Sequence, residues 1–188
     1  MDVLSSVLSS FDQTWEQLRT RLQGLGDEEY LWEPVPGCWS VRPGPARPLA
    51  DGPDVDEGRD LDPALVTTLA WRTWHMAVDA LDSYSVGAFG DSGTGLAGRS
   101  WVLTADEALD LLGRAVATFR GHVAARDAAG LDAPLGPRFG PFADSTRLDL
   151  LLHAHRELTH HGAEAALLRD LCRAGGQTHG TATEEGRR

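Results

Sequence analysis

The chain has 188 residues, 41% hydrophobic and 24% charged, enough apolar material for one domain with its own core. With 17 basic and 28 acidic residues its formal net charge is −11, a field that repels nucleic-acid backbones and anionic lipid. No run of about 18 apolar residues is present to span a bilayer, and the first basic residue is Arg19, so the N-terminus lacks the charged flank of a secretory signal. The expectation is a cytoplasmic protein that binds neither nucleic acid nor membrane. All 17 basic residues are Arg, and Lys, Ile and Asn are absent, which points to a high-GC genome. Cys38 and Cys172 are too few for a disulfide framework and form no CxxC pair, so both read as reduced thiols.

Leu4, Val7, Leu8, Phe11, Trp15, Leu18 and Leu22 recur at steps of three and four, which predicts an amphipathic helix over 3–23 ended by Gly24 and Gly26. The stretch from there to about residue 63 holds seven of the ten prolines and reads as a long non-helical connection. Its acidic cluster, Asp51, Asp54, Asp56, Glu57, Asp60 and Asp62, lacks EF-hand spacing and reads as a solvated loop. Asp62-Pro63 combines a capping side chain with a residue preorganised for the first helical turn, predicting a second helix over 63–85.

After a glycine-rich link, Thr104 and Glu107 have the spacing of a capping box, predicting a third helix to about residue 128 that stops near Gly130. The link matches a dinucleotide fingerprint in its glycines, but no β-rich run precedes it, so the match is rejected. A fourth helix begins near Ser145, carries Leu150, Leu151, Leu152, Leu158, Ala165, Leu167, Leu168 and Leu171, and ends before Gly175. Four amphipathic helices with long connections predict an all-α four-helix bundle, a single domain over 1–174 with a polar, disordered tail at 175–188.

The histidines carry the chemistry. His153, His155, His160 and His161 fall within nine residues of the fourth helix, with Glu157 and Glu164 among them. Glu157 and His161 are one helical turn apart, on a side otherwise formed by Leu150, Ala154, Leu158, Ala165 and Leu168. A carboxylate facing a core is costly unless it is paired, hydrogen-bonded or metal-bound. His75, one turn from Trp71 and close in angle to Val78, also points inward.

An imidazole from the second helix with a carboxylate and an imidazole from the fourth makes a His/Glu/His set, the number of protein ligands that leaves a metal an open position. Zinc suits these donors best, and nickel, iron and manganese also accept them. Alone, His75 reads more readily as a hydrogen-bonded core histidine than as a ligand; Glu157 and His161 beside it strengthen the metal reading. His153, His160 and Glu164 form an adjacent stripe, either partners of the ligands or an ion-pair network. His122, His155 and His179 read as solvated, and no HExxH zinc-protease motif is present.

Several stretches carry a family resemblance: Trp32-Glu-Pro34 and Cys38-Trp39-Ser40-Val41-Arg42 after the first helix, Trp71-Arg-Thr-Trp-His75-Met on the second, and Glu157-Leu-Thr-His160-His161-Gly162-Ala-Glu164 on the fourth. With these motifs the chain resembles the DinB/YfiT-like superfamily of metalloenzymes, four-helix bundles in which three residues bind a divalent metal. Many relatives have His where this chain has Glu157, and the His/Glu/His variant is similar to the mycothiol-dependent maleylpyruvate isomerase branch. The resemblance places the metal on His75, Glu157 and His161 and implies a thiol co-substrate, mycothiol in a high-GC actinobacterium.

The activity expected from the resemblance is a metal-dependent thiol S-transferase or thiol-dependent isomerase acting on a small electrophile. In it a metal-stabilised thiolate attacks an electrophilic carbon. The alternatives are a hydrolase using metal-bound water and a non-catalytic, stress-related metal-binding bundle. No residue is assigned as catalytic base; His153 and His160 qualify only if they turn toward the metal. Trp39, Trp71 and Trp74 read as pocket wall or plain core, and Arg42 and Arg72 as anion contacts or surface ion pairs. The partners expected are a small thiol, an electrophile and, through an exposed apolar face, a second copy in a homodimer.

Overall fold

The computed structural model describes residues 3–52, 66–93 and 98–181. The helix start at Asp62-Pro63, the acidic cluster over 54–62, the middle of the glycine-rich link, the side chain of His179 and the last residues of the tail lie outside the described residues. The architecture is all-helical with one two-stranded ribbon. α1 is Val3–Arg21, α2 Asp27–Leu31, α3 Leu69–Trp74, α4 Ser83–Phe89, α5 Ala105–Ala124, α6 Ala128–Asp132 and α7 Arg147–Thr181. Between α3 and α4 the chain continues without a break as a π-helical segment, His75–Asp82, and a 3₁₀ turn covers Pro137–Phe142.

The bundle is formed by α1, the α3–π–α4 rod, α5 and α7. The π segment packs on α5, and α1 and α3 pack on α7. Phe11, Tyr30, Trp101, Phe119, Leu112, Leu151 and Leu158 are among the fully buried side chains between them. On α1 the predicted stripe holds: Leu8, Phe11, Leu18 and Leu22 are buried, and Gly24 turns the chain with a φ of 65° that other residues rarely adopt. Gly162 lets α7 lie close to α1, since a Cβ there would sit 3.2 Å from Leu18 Cδ2.

Tertiary contacts overrule several local expectations. The connection after α1 is not wholly irregular: it contains α2, whose Tyr30 is buried and donates its hydroxyl to the Val102 carbonyl at 3.0 Å. It also contains an antiparallel ribbon of β1 (Val41–Arg42) and β2 (Leu49–Ala50), with Val41 opposite Ala50. The second helix opens at Leu69, where the Thr68 hydroxyl accepts the Trp71 N–H. Thr104 makes no side-chain cap; Asp27 Oδ1 of α2 accepts the Ala105 N–H instead, at 2.7 Å.

A reciprocal cap does form at α7, where the Thr146 hydroxyl accepts the Asp149 N–H and Asp149 Oδ2 accepts the Thr146 N–H. α5 ends at Ala124 rather than near Gly130, which lies in α6, where Asp127 caps the Gly130 N–H at 2.8 Å. α7 continues past Gly175 to Thr181. Its Leu152, Leu167 and Leu171 are exposed, not core. Among the described residues no helix is long and apolar enough to cross a membrane.

An ion cluster fastens α2 to the far half of α7. Glu29 accepts from Arg169 at 3.1 Å and from Arg173, and Arg169 is buried while also donating to the Arg21 carbonyl. Burial pushes the Glu29 carboxyl up, but hydrogen bonds and charge from Arg173 and Arg169 outweigh it and hold the group below its ordinary range. Stability from a carboxylate lowered in this way is complete above the unfolded value and is lost as pH falls through the folded one. The thermal-midpoint gap between wild type and Glu29→Gln is therefore widest at neutral pH and shrinks as pH drops past about 4. Asp27→Ala, which removes the cap of α5 from a distance, lowers stability by about 1 kcal/mol in a denaturant titration.

Candidate metal centre

The π segment and α7 face each other where the sequence reading places its three ligands. Glu157 and His161 share one side of α7, and His75, the first residue of the π segment, meets them across the groove. His75 Nε2 lies 3.2 Å, and His161 Nε2 3.1 Å, from the same atom, Glu157 Oε2. The three residues offer donor atoms that all lie within 4.8 Å of one another. Single π turns inside α-helices recur at functional sites, and this one sets the position of His75.

Each imidazole is held from behind. His75 Nδ1 is 3.0 Å from Asp79 Oδ2 on the next turn, and His161 Nδ1 is 2.7 Å from Glu164 Oε2. A ring that donates Nδ1–H to a carboxylate presents the lone pair of Nε2 on its other side. With both rings in that tautomer, both Nε2 atoms aim unshared electrons at one carboxylate oxygen, an arrangement that needs a positive charge between them. This donor chemistry fits a divalent cation held by two imidazoles and one carboxylate.

The ionisable groups of the cluster shift one another. Burial pulls the His75 pKa down, yet hydrogen bonds to Asp79 and Glu157 and the charge of both carboxylates leave it raised. Burial pushes Glu157 up, but the hydrogen bond from His75 and the charges of His161, His153 and His75 leave it lowered. His161 is lowered, chiefly by burial and then by the charges of His75 and Arg72, against the opposing pull of Glu164. Burial is also the main reason that His153 is lowered.

The centre is sheltered but not sealed: the His75, Glu157 and His161 side chains keep 19%, 17% and 13% of their exposure. The Trp71 ring stacks on His75 at 5.2 Å and 8°, with Trp39 5.5 Å from Trp71 and Trp74 6.4 Å from His75. Trp71 donates Nε1–H to the Asp51 carbonyl at 2.7 Å, so the loop carrying β1 and β2 is tied to the residue that braces the His75 ring. The three tryptophans thus form a packed buttress.

Of the two arginines, Arg42 bonds to Glu33, Asp51 and the Cys38 carbonyl and serves as a loop tie. Arg72 reaches the centre: Nη1 is 3.2 Å from His161 Nδ1 and Nε is 3.0 Å from Glu164 Oε2. The adjacent stripe divides. His160 pairs with Glu164 at 3.3 Å, while His153 Nε2 stands 3.7 Å from Glu157 Oε1 and beside the Tyr84 ring. A depression of about 540 Å³ on the outer face of α7 is lined by His160 and Glu164 but by none of the three donors.

His155 and His122 are not simply solvated as expected. His155 Nε2 is 3.0 Å from the Thr14 hydroxyl of α1, and His122 lies 2.6 Å from Asp91 and stacks on Phe89. Asp79 and Tyr84 were missed. The signal for Asp79 was its i, i+4 relation to His75; the charges of Glu157 and Asp79 add to burial in raising the Tyr84 pKa, placing that ring near the donors.

A family model described as the DinB superfamily matches residues 10–165. A crystal structure of a conserved protein from Enterococcus faecalis has a TM-score of 0.59 and 17% identity, covering 91% of this chain and 97% of that one. At that identity the likeness concerns the fold. No match is found among curated proteins. With the family model spanning most of the sequence and the bundle now described, the chain belongs to the DinB superfamily.

Proposed function

We propose that His75, Glu157 and His161 bind one divalent cation, zinc by preference, and that the protein is a metal-dependent enzyme joining a small thiol to an electrophilic carbon or using that thiol to isomerise its substrate. The carrying observation is the convergence of two imidazole nitrogens on one carboxylate oxygen at 3.1 and 3.2 Å, with both rings braced by carboxylates. The thiol part of the reading rests on the resemblance of the His/Glu/His set to the mycothiol-dependent branch.

A bound divalent cation supplies the charge that stabilises a thiolate, the nucleophilic form of the thiol. In the transferase the thiol loses its proton, its sulfur bonds to the electrophilic carbon, and the leaving group departs with the bonding pair. In the isomerase the sulfur adds, the former double bond rotates, and the sulfur is expelled unchanged. The chain holds and orients: Asp79 and Glu164 fix the rings, and Trp71 prevents His75 from tilting. Burial favours the neutral form of His153, whose Nδ1 accepts from Arg156 and whose Nε2 faces Glu157.

Elemental analysis of the purified protein is expected to give about one metal per chain, lost in His75→Ala with the helical signal in circular dichroism retained. Turnover of 1-chloro-2,4-dinitrobenzene with mycothiol is expected to need both metal and thiol. Metal-dependent hydrolysis of ester probes without any thiol would favour the water-using alternative. Absence of metal from wild type and variant alike would leave only the bundle.

A further inference from the structure

His161 Nδ1 faces two groups with opposite demands. Glu164 Oε2, at 2.7 Å, can only accept a proton from it; Arg72 Nη1, at 3.2 Å, can only donate one to it. The neutral ring has one proton and cannot satisfy both. If Nδ1 carries it, Glu164 is satisfied and Nε2 offers its lone pair toward His75 and Glu157. If Nε2 carries it, Nδ1 accepts from Arg72 and the proton points at Glu157 Oε2, 3.1 Å away, which closes the site to a cation.

The geometry carries a preference. The shorter contact is to the carboxylate, and Arg72 is left imperfectly served. Its Nε is buried with no aligned hydrogen-bond partner, although Glu164 Oε2 is only 3.0 Å away. The guanidinium is held there by packing, 14% exposed and 5.2 Å from the Trp71 ring. Glu164 also receives His160 at 3.3 Å, which keeps its other oxygen engaged.

We propose that Glu164 and Arg72 are opposed positioning residues: Glu164 holds His161 in the tautomer that accepts a metal, and Arg72 pulls it toward the tautomer that refuses one. The inference rests on the metal reading for its purpose, but its first half concerns the metal-free protein alone. Opposed control has a signature that a merely structural pair lacks. Removing Arg72 takes away both a competing donor and a positive charge beside the cation, so binding tightens. Removing the charge of Glu164 releases the ring to Arg72, so binding weakens.

The test is histidine ¹⁵N NMR on the metal-free protein, at a pH where His161 is neutral, joined to zinc titrations against a competing chelator. Wild type and Arg72→Met are expected to carry the His161 proton on Nδ1, and Glu164→Gln to carry it on Nε2. Zinc is expected to bind roughly tenfold or more weakly to Glu164→Gln and about threefold or more tightly to Arg72→Met. A wild-type proton on Nε2, or equal weakening by both substitutions, would overturn the proposal. If wild type binds no zinc, the metal reading fails on its own, and the metal-free tautomers still decide the opposition of Glu164 and Arg72. The variants' melting curves identify any that simply fails to fold.

Discussion

A carboxylate oxygen and two imidazole nitrogens meet between the π segment and α7, and each nitrogen can face that oxygen only with a proton or a cation between them. Which of the two is present decides how the three side chains can be arranged. Hydrogen bonds to Asp79 and Glu157 and the charge of both carboxylates raise the His75 pKa, although burial alone would lower it. A divalent cation there would satisfy all three donors together and leave the Nδ1 protons to Asp79 and Glu164.

The fold makes the meeting possible by fixing each partner from a different direction. On α7, helical spacing alone puts Glu157 and His161 on one side, and Gly162 next to them lets α1 pack tightly enough to hold the helix in place. On the opposing rod, the π segment begins at His75, and the Trp71 ring stacked on that imidazole is itself tied to the loop through Asp51. The loop is in turn tied by Arg42 to Glu33 and Asp51. The long connection thus braces His75 through a short series of contacts, which gives a physical role to the Trp-rich segments on either side of it.

The clustering of Glu157 and His161 was legible in the sequence because its signal is local: a carboxylate and an imidazole one turn apart, embedded among leucines and alanines. The bundle was legible for the same reason, through the stripe on α1. What was not legible depends on contacts between distant segments. Asp27 takes the place of the expected Thr104 cap because α2 packs against the start of α5, and nothing near residue 104 announces that. The π segment has no composition of its own, so the i, i+4 spacing of Asp79 from His75 was the one sign of their pairing. His155 and His122 looked solvated because their partners, Thr14 and Asp91, lie far away in the chain. Arg72 illustrates the same limit, since its two contacts at the centre are contributed by another helix.

The most direct measurement is anomalous diffraction at the zinc edge from crystals of the zinc-loaded protein. The account predicts one strong peak about 2.0–2.2 Å from His75 Nε2, a Glu157 carboxylate oxygen and His161 Nε2, with Asp79 and Glu164 behind the two rings. A peak elsewhere on the chain, or no peak with the three side chains in their present positions, would contradict it.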